Sequence, residues 1–207
     1  MDNEFIALSP QMQEVKKLIA LVRGINVNTI VMGDVGVGKT LVAKTIIPNA
    51  IVVCGDKPED VFKALKSFDE IIIEDFDKLP NSDLPLLDGK KIVATSKKRI
   101  KDSTLDRLFG IKIEIPSLAE RKADIDSLKE HFLDRAKKDL SINSNIDISV
   151  VATDITQNCH SLKRASYQAL LCNDITKEQL GVIMEEYFYS HMDDSEENYK
   201  LFLDVKV

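Results

Sequence analysis

The sequence predicts an α/β fold, in which a parallel sheet is covered by helices on both faces and is followed by a small all-helical domain. Short runs rich in valine and isoleucine alternate with longer stretches whose apolar residues recur at helical spacing. Each short run is apolar without interruption, as in strands that are buried on both faces of a parallel sheet. After Pro116 helical patterns follow one another and no strand-like run recurs until the end of the chain.

The elements of the first part alternate regularly. A helix is predicted over 11–22, where Ser9-Pro10 supplies a cap and a first turn. Two further helices are predicted over 39–47 and 58–67. Strands are predicted over 29–32, 50–54, 71–73, 91–95 and 111–115.

The second part is predicted to be helical. Amphipathic patterns cover 118–140, 146–156, 161–172 and 175–190. We therefore predict an α/β domain over 1–139 and a helical domain over 140–192. A charged linker and an apolar tail are expected over 193–207.

Composition and charge exclude several classes of protein. The formal net charge is −6, and an acidic chain is a poor general binder of nucleic acid because neutralising phosphates requires a basic surface. No apolar run approaches the roughly 20 residues of a membrane span, and the acidic N-terminus is unlike a secretion signal. Three widely spaced cysteines suggest neither a disulfide scaffold nor a zinc site. We expect a cytoplasmic protein without membrane contact.

The most specific motif is a phosphate-binding loop (P-loop) between the first strand and the second helix. It is a complete G-x-x-x-x-G-K-[ST] sequence, formed by Gly33, Asp34, Val35, Gly36, Val37, Gly38, Lys39 and Thr40. Glycines let backbone N–H groups turn towards phosphate oxygens, which also face the positive end of the following helix. Lys39 can reach the β- and γ-phosphates, and the Thr40 hydroxyl can ligate Mg²⁺. The motif predicts binding of ATP with Mg²⁺.

Two adjacent acids, Glu74 and Asp75, follow the third apolar run. On a parallel sheet this strand end lies beside the P-loop, where ligands bind. Because successive side chains alternate in direction, one acid can hold the metal while the other faces a water molecule. We expect Thr40 and Glu74 to be metal ligands and both acids to be catalytic candidates, although their roles could be exchanged. The simpler alternative is a strand end with solvated acids.

A second motif follows the fifth strand. Residues 115–125 read IPSLAERKADI, and Leu128 and the run HFL at 131–133 continue the pattern. Together with Ser9-Pro10-Gln11-Met12 ahead of the P-loop, this segment resembles the AAA+ domain of bacterial sigma-54-dependent transcription activators, over roughly 5–175. The resemblance implies a five-stranded AAA+ sheet, a small helical lid domain, and self-association through subunit interfaces.

The resemblance also implies further site residues. Ser96 stands at the position of the family's polar sensor on strand four. Arg107 matches an arginine that reaches the γ-phosphate of a neighbouring subunit, and Lys101 is a weaker match to a second one, since lysine cannot form a planar bidentate clamp. Lys163 occupies the position of a phosphate-contacting arginine in the lid. The simpler readings are a surface charge for Arg107 and a solvated helix residue for Lys163.

The chain departs from the family at several positions. Glu74-Asp75 reverses the family's Asp-Glu order, Thr40 replaces its usual Glu, and Val53-Cys54 replaces its Asn-Cys pair on strand two. No GAFTGA sequence occurs over 41–73, where the family inserts the loop that engages sigma-54. Direct remodelling of sigma-54 is therefore not expected.

These observations lead to one main hypothesis for the function. We expect a regulatory AAA+ module that binds ATP and hydrolyses it slowly if at all. It would act on transcription through a partner or through a DNA-binding segment outside this chain, which shows no DNA-binding motif of its own. One alternative is an active ATPase that remodels another protein client. Another is a nucleotide-gated scaffold without turnover. A small-molecule kinase is more distant, because no motif for a second substrate is present.

Overall fold

The computed structural model describes residues 5–80, 89–97, 100–143 and 145–174. The helices are α1 (Pro10–Arg23), α2 (Lys39–Ile46), α3 (Pro58–Ser67), α4 (Asp102–Leu108), α5 (Ile125–Asp139) and α6 (Cys159–Asp174). The strands are β1 (Thr29–Met32), β2 (Ile51–Cys54), β3 (Glu70–Glu74), β4 (Lys91–Ser96) and β5 (Ile111–Glu114). The chain divides into two compact units between Asp124 and Ile125.

The five strands form one parallel sheet in the order β2-β3-β4-β1-β5. Every residue of β1 is buried, as are the three isoleucines of β3. Continuous burial follows from apolar layers on both sheet faces. The predicted α/β fold with a parallel sheet is therefore confirmed, and its carboxyl edge brings the ends of β1, β3 and β4 side by side.

Alternate residues of each central strand enter different apolar layers. Val31 and Ile72 pack with residues of α1 and α2 in one layer. Ile71 and Ile73 pack with residues of α3 in the other. As predicted, Ser9 caps α1, since its side chain accepts a hydrogen bond from the Met12 N–H. The layers fix the strand ends from which the site is built.

The second unit is organised around α5 and α6. Leu133 and Ala136 of α5 share an apolar cluster with Tyr167 and Leu170 of α6. The sequence-based domain boundary after residue 139 coincides with the last residue of α5, whereas the compact units are divided before this helix. The apolar contacts between α5 and α6 account for the position of that division.

Two helix predictions in this part of the chain differ from the structure. The helix predicted over 146–156 is wrong, because only a 3-10 turn, Ile148–Val150, forms there. The Asp147 and Asp154 side chains accept hydrogen bonds from backbone N–H groups two residues later, and such turns compete with a helix. The helix predicted from 118 begins at Ile125. The pattern over 175–190 and the linker and tail over 193–207 lie outside the described residues.

Candidate nucleotide site

The loop between β1 and α2 has the backbone shape that its glycines allow. Gly33, Gly36 and Gly38 have φ angles of 150°, 76° and 102°, which L-residues rarely adopt. A Cβ atom added to Gly33 would also lie 2.7 Å from the Ile115 carbonyl oxygen. The loop conformation and the close approach of β5 therefore both favour glycine.

Lys39 is 8% exposed, and its side chain lies within the loop. Its Nζ donates hydrogen bonds to the carbonyl oxygens of Gly33 at 2.9 Å and Asp34 at 2.7 Å. Burial lowers the pKa of Lys39, and the positive charge of Lys97 lowers it further. Because its two hydrogen-bond acceptors are neutral carbonyl oxygens, this cation would gain a stronger interaction from an anionic phosphate oxygen.

Thr40 and Glu74 are brought together by the start of α2 and the end of β3. The Thr40 hydroxyl donates a hydrogen bond to Glu74 Oε1. A hydroxyl and a carboxylate are oxygen ligands of the kind that Mg²⁺ takes, together with waters and phosphates. Among the described residues, no group of three histidine, cysteine, aspartate or glutamate residues is placed to hold a metal. The hydroxyl of Thr40 and the carboxylate of Glu74 fit Mg²⁺ whose other ligands are water and phosphate oxygens.

Asp75 has different partners from Glu74. It adopts a left-handed backbone conformation with φ of 48°, and a Cβ on Gly55 would lie 2.6 Å from its carbonyl oxygen. The Asp75 carboxylate lies 2.8 Å from Lys78 Nζ and 3.5 Å from Lys97 Nζ. Burial favours a higher pKa for Asp75, but these two lysines outweigh burial and hold the pKa below its usual value. Asp75 is thus a carboxylate held by two ammonium groups.

Ser96, the last residue of β4, is fully buried and contacts a third acid. Its hydroxyl donates a hydrogen bond to Asp77 Oδ1 at 3.0 Å, and the Lys97 N–H lies 3.4 Å from the same oxygen. Sequence reasoning did not assign a role to Asp77. The signal was present as a third carboxylate directly after β3, but its pairing with Ser96 depends on the neighbouring strands β3 and β4.

The other predicted residues are three basic side chains. Arg107 is exposed on α4, and Lys101 is exposed just before that helix. Lys163 belongs to the second unit. Its Nζ lies 5.5 Å from the centre of the Tyr167 ring, at the distance of a cation–π contact.

A buried charged network supports the P-loop and was also missed. Arg121 is 3% exposed, and its guanidinium donates a hydrogen bond to the Val37 carbonyl oxygen at 2.8 Å. Asp124 is fully buried and lies 3.9 Å from Arg121. It accepts three hydrogen bonds of 2.7 Å, from the N–H groups of Leu8 and Ser9 and from the Ser9 hydroxyl. The start of α1, the segment after β5 and the P-loop are therefore linked by hydrogen bonds.

Similarities to known proteins are low in sequence and clear in fold. No protein-family model matches the chain. A protein from Pseudomonas sp. (strain NS671), described as an uncharacterized protein in the HyuA 5′ region, is 24% identical across 72% of this chain and 71% of its own length. The structure of NtrX from Brucella abortus in complex with ATP has a TM-score of 0.69 at 18% identity, over 84% of this chain and 52% of NtrX.

A second solved structure extends the comparison. AMPPCP-bound DnaA from Aquifex aeolicus has a TM-score of 0.53 at 15% identity, over 93% of this chain and 69% of DnaA. These likenesses, with the strand order, show the AAA+ fold. The chain spans about half the length of the NtrX chain that it matches. Within the described residues, none of the helices combines the length and the apolar character that crossing a bilayer requires.

Proposed function

We propose that the chain is a regulatory AAA+ module that binds ATP with Mg²⁺. The observation that carries this proposal is the contact of the Thr40 hydroxyl with the Glu74 carboxylate, beside a loop whose glycines have positive φ angles. A phosphate-binding loop and two Mg²⁺ ligands on adjacent elements are the parts that triphosphate binding requires. The fold likeness to NtrX solved with ATP and to DnaA solved with AMPPCP supports the same ligand.

In this proposal each part of the site has a defined role. The ammonium group of Lys39 leaves the carbonyl oxygens of the loop for the phosphates, and the N-terminus of α2 faces the same anion. Thr40 and Glu74 hold Mg²⁺, which neutralises phosphate charge when it is bound. Asp75 orients the attacking water, and Ser96 senses the phosphate by turning its single hydroxyl donor from Asp77 to a phosphate oxygen.

Slow hydrolysis is the second part of the proposal. A residue that orients water needs a free carboxylate oxygen, and both Asp75 oxygens are paired with lysines, so one of these ion pairs has to break before Asp75 can orient water. We also propose that the chain self-associates, and that Arg107, exposed on α4, reaches the γ-phosphate of a neighbouring subunit. In the helical lid, Lys163 is proposed to contact a phosphate. A transcription regulator is the proposed partner, without direct remodelling of sigma-54.

The second candidate, an active ATPase with another protein client, is favoured if turnover per subunit is rapid and rises with protein concentration.

The proposal is tested by Lys39→Ala in titration calorimetry with ATP and Mg²⁺. Lys39→Ala removes two charge-assisted contacts with the phosphates, worth about 1.5 kcal/mol each, and therefore lowers the affinity for ATP about 100-fold. The matched control is Lys44→Ala, which removes an exposed lysine from the same helix and leaves the affinity unchanged. Wild-type chain that binds no ATP, or equal affinities for wild type and Lys39→Ala, would refute the phosphate site.

A further inference from the structure

Lys97 lies at the edge of the sheet where the P-loop begins. β1 and β4 are adjacent and parallel, with Met32 paired to Ser96. Gly33 and Lys97 are therefore the first residues beyond two neighbouring strand ends. From this position the Lys97 ammonium lies 3.5 Å from the Asp75 carboxylate, and its backbone N–H lies 3.4 Å from an oxygen of Asp77.

The P-loop lysine lies at the same edge of the sheet. Lys39 begins α2 directly after the last glycine of the P-loop, and Lys97 follows the last residue of β4, so both cations lie at the carboxyl edge where the proposed function puts the phosphates. They repel each other while no anion separates them. A terminal phosphate would attract both Lys39 and Lys97. Of these two lysines, only Lys97 lies at ion-pair distance from Asp75.

Lys78 holds the same carboxylate from a different side. Its Nζ lies 2.8 Å from Asp75 and 3.9 Å from Asp56, which follows β2. In the sheet order β2-β3-β4-β1-β5, β2 is separated from the P-loop strand by two strands. Lys78 therefore approaches Asp75 from the side opposite to the phosphate site.

We propose that Lys97 is a triphosphate-sensing residue, which pairs with Asp75 in the nucleotide-free chain and with the terminal phosphate of a bound nucleoside triphosphate. The exchange frees one Asp75 oxygen, while Lys78 keeps the other. A diphosphate lacks the terminal group, so it leaves Lys97 on Asp75. This inference rests on the proposed function and adds Lys97, next to Ser96, as a residue that distinguishes the two nucleotides.

The test compares the affinities of two nucleotides in four proteins. Wild type, Lys97→Met, Lys97→Arg and Lys78→Met are each titrated with ADP and with a non-hydrolysable ATP analogue, both with Mg²⁺. Lys97→Met loses about tenfold in analogue affinity, the worth of one charge-assisted hydrogen bond, and keeps its ADP affinity. Lys97→Arg restores the preference for the triphosphate. Lys78→Met keeps the wild-type ratio of the two affinities, although it also removes a cation from Asp75.

The outcomes separate this inference from the proposed function. If wild type binds both nucleotides and Lys97→Met leaves their affinity ratio unchanged, Lys97 does not sense the terminal phosphate and only this inference falls. The sensing role of Lys97 is also overturned if Lys78→Met changes the ratio of the two affinities as much as Lys97→Met does. In that case the change follows from removing a cation beside Asp75 and not from a lost contact with the terminal phosphate. If wild type binds neither nucleotide, both proposals fail. Thermal unfolding of each variant checks that it is folded.

Discussion

In the first unit, several charged side chains have partners far away in the sequence, whereas in the described part of the second unit most have a partner on the same turn or helix. Arg121 and the Val37 carbonyl are 84 positions apart, and Asp124 and Ser9 are 115 apart. In the second unit, Lys163 lies over the ring of Tyr167, and Asp154 accepts hydrogen bonds from Thr156.

The burial of these groups differs in the same way. Arg121 and Asp124 are almost completely buried, so water does not compensate for a lost partner. Asp154 and Arg164 keep about a third of their side-chain surface exposed, and water screens their attraction. The comparison suggests that the first unit fixes the shape of its P-loop through buried charges. In the second unit, polar groups shape local turns.

The largest effect is expected from Arg121→Leu, which leaves the buried Asp124 without its nearest cation and Val37 without its donor. Removing one member of a buried charged pair costs about 3–5 kcal/mol. Asp124 keeps three other hydrogen bonds, so we expect a loss near the lower end, about 3 kcal/mol. The free energy of unfolding, measured with urea and circular dichroism, tests this.

The control for this experiment is Lys122→Leu, which changes the exposed neighbour of Arg121. A surface substitution of this kind changes stability by about 0.5 kcal/mol or less. If both substitutions had the same small effect, the network around Arg121 would not stabilise the first unit, and the contrast between the units would disappear.

A smaller effect is expected from Lys163→Met, which tests whether a locally engaged charge of the second unit also serves the nucleotide. If Lys163 contacts a phosphate as proposed, ATP affinity falls about fivefold, corresponding to about 1 kcal/mol. Lys163→Arg keeps the charge and should retain most of the affinity in titration calorimetry. Unchanged affinity in Lys163→Met would restrict this lysine to its contact with the Tyr167 ring.

The same contrast explains what could be predicted from the sequence. The sheet and the glycine-rich turn between β1 and α2 were predictable because their signals are local, such as the isoleucine run 71–73 and the glycines themselves. The support by Arg121 was not, because its acceptor is the Val37 carbonyl far away in the sequence. The role of Asp77 depends on strand pairing, which brings Ser96 beside it. The false helix over 146–156 arose because apolar spacing outweighed the two aspartate turns that interrupt it.

The smallest effect is expected at one of these turns, from Asp154→Asn. Hydrogen bonds from the N–H and hydroxyl of Thr156, with a smaller contribution from Arg164, lower the pKa of Asp154. A lowered folded-state pKa means that the carboxylate stabilises the folded chain above its unfolded pKa of about 3.9. This contribution is lost as the pH falls through the lowered value.

We therefore expect Asp154→Asn to reduce the unfolding free energy at pH 7 by less than about 1 kcal/mol, because about a third of the Asp154 side chain is exposed and water partly screens its contacts. The difference from wild type should shrink as the pH falls below about 4. Glu130→Gln, which neutralises an exposed carboxylate on α5, is the control for the loss of one negative charge. A difference that stayed constant down to pH 2, or one that Glu130→Gln reproduced, would assign the effect to general charge and remove the local turn from the comparison.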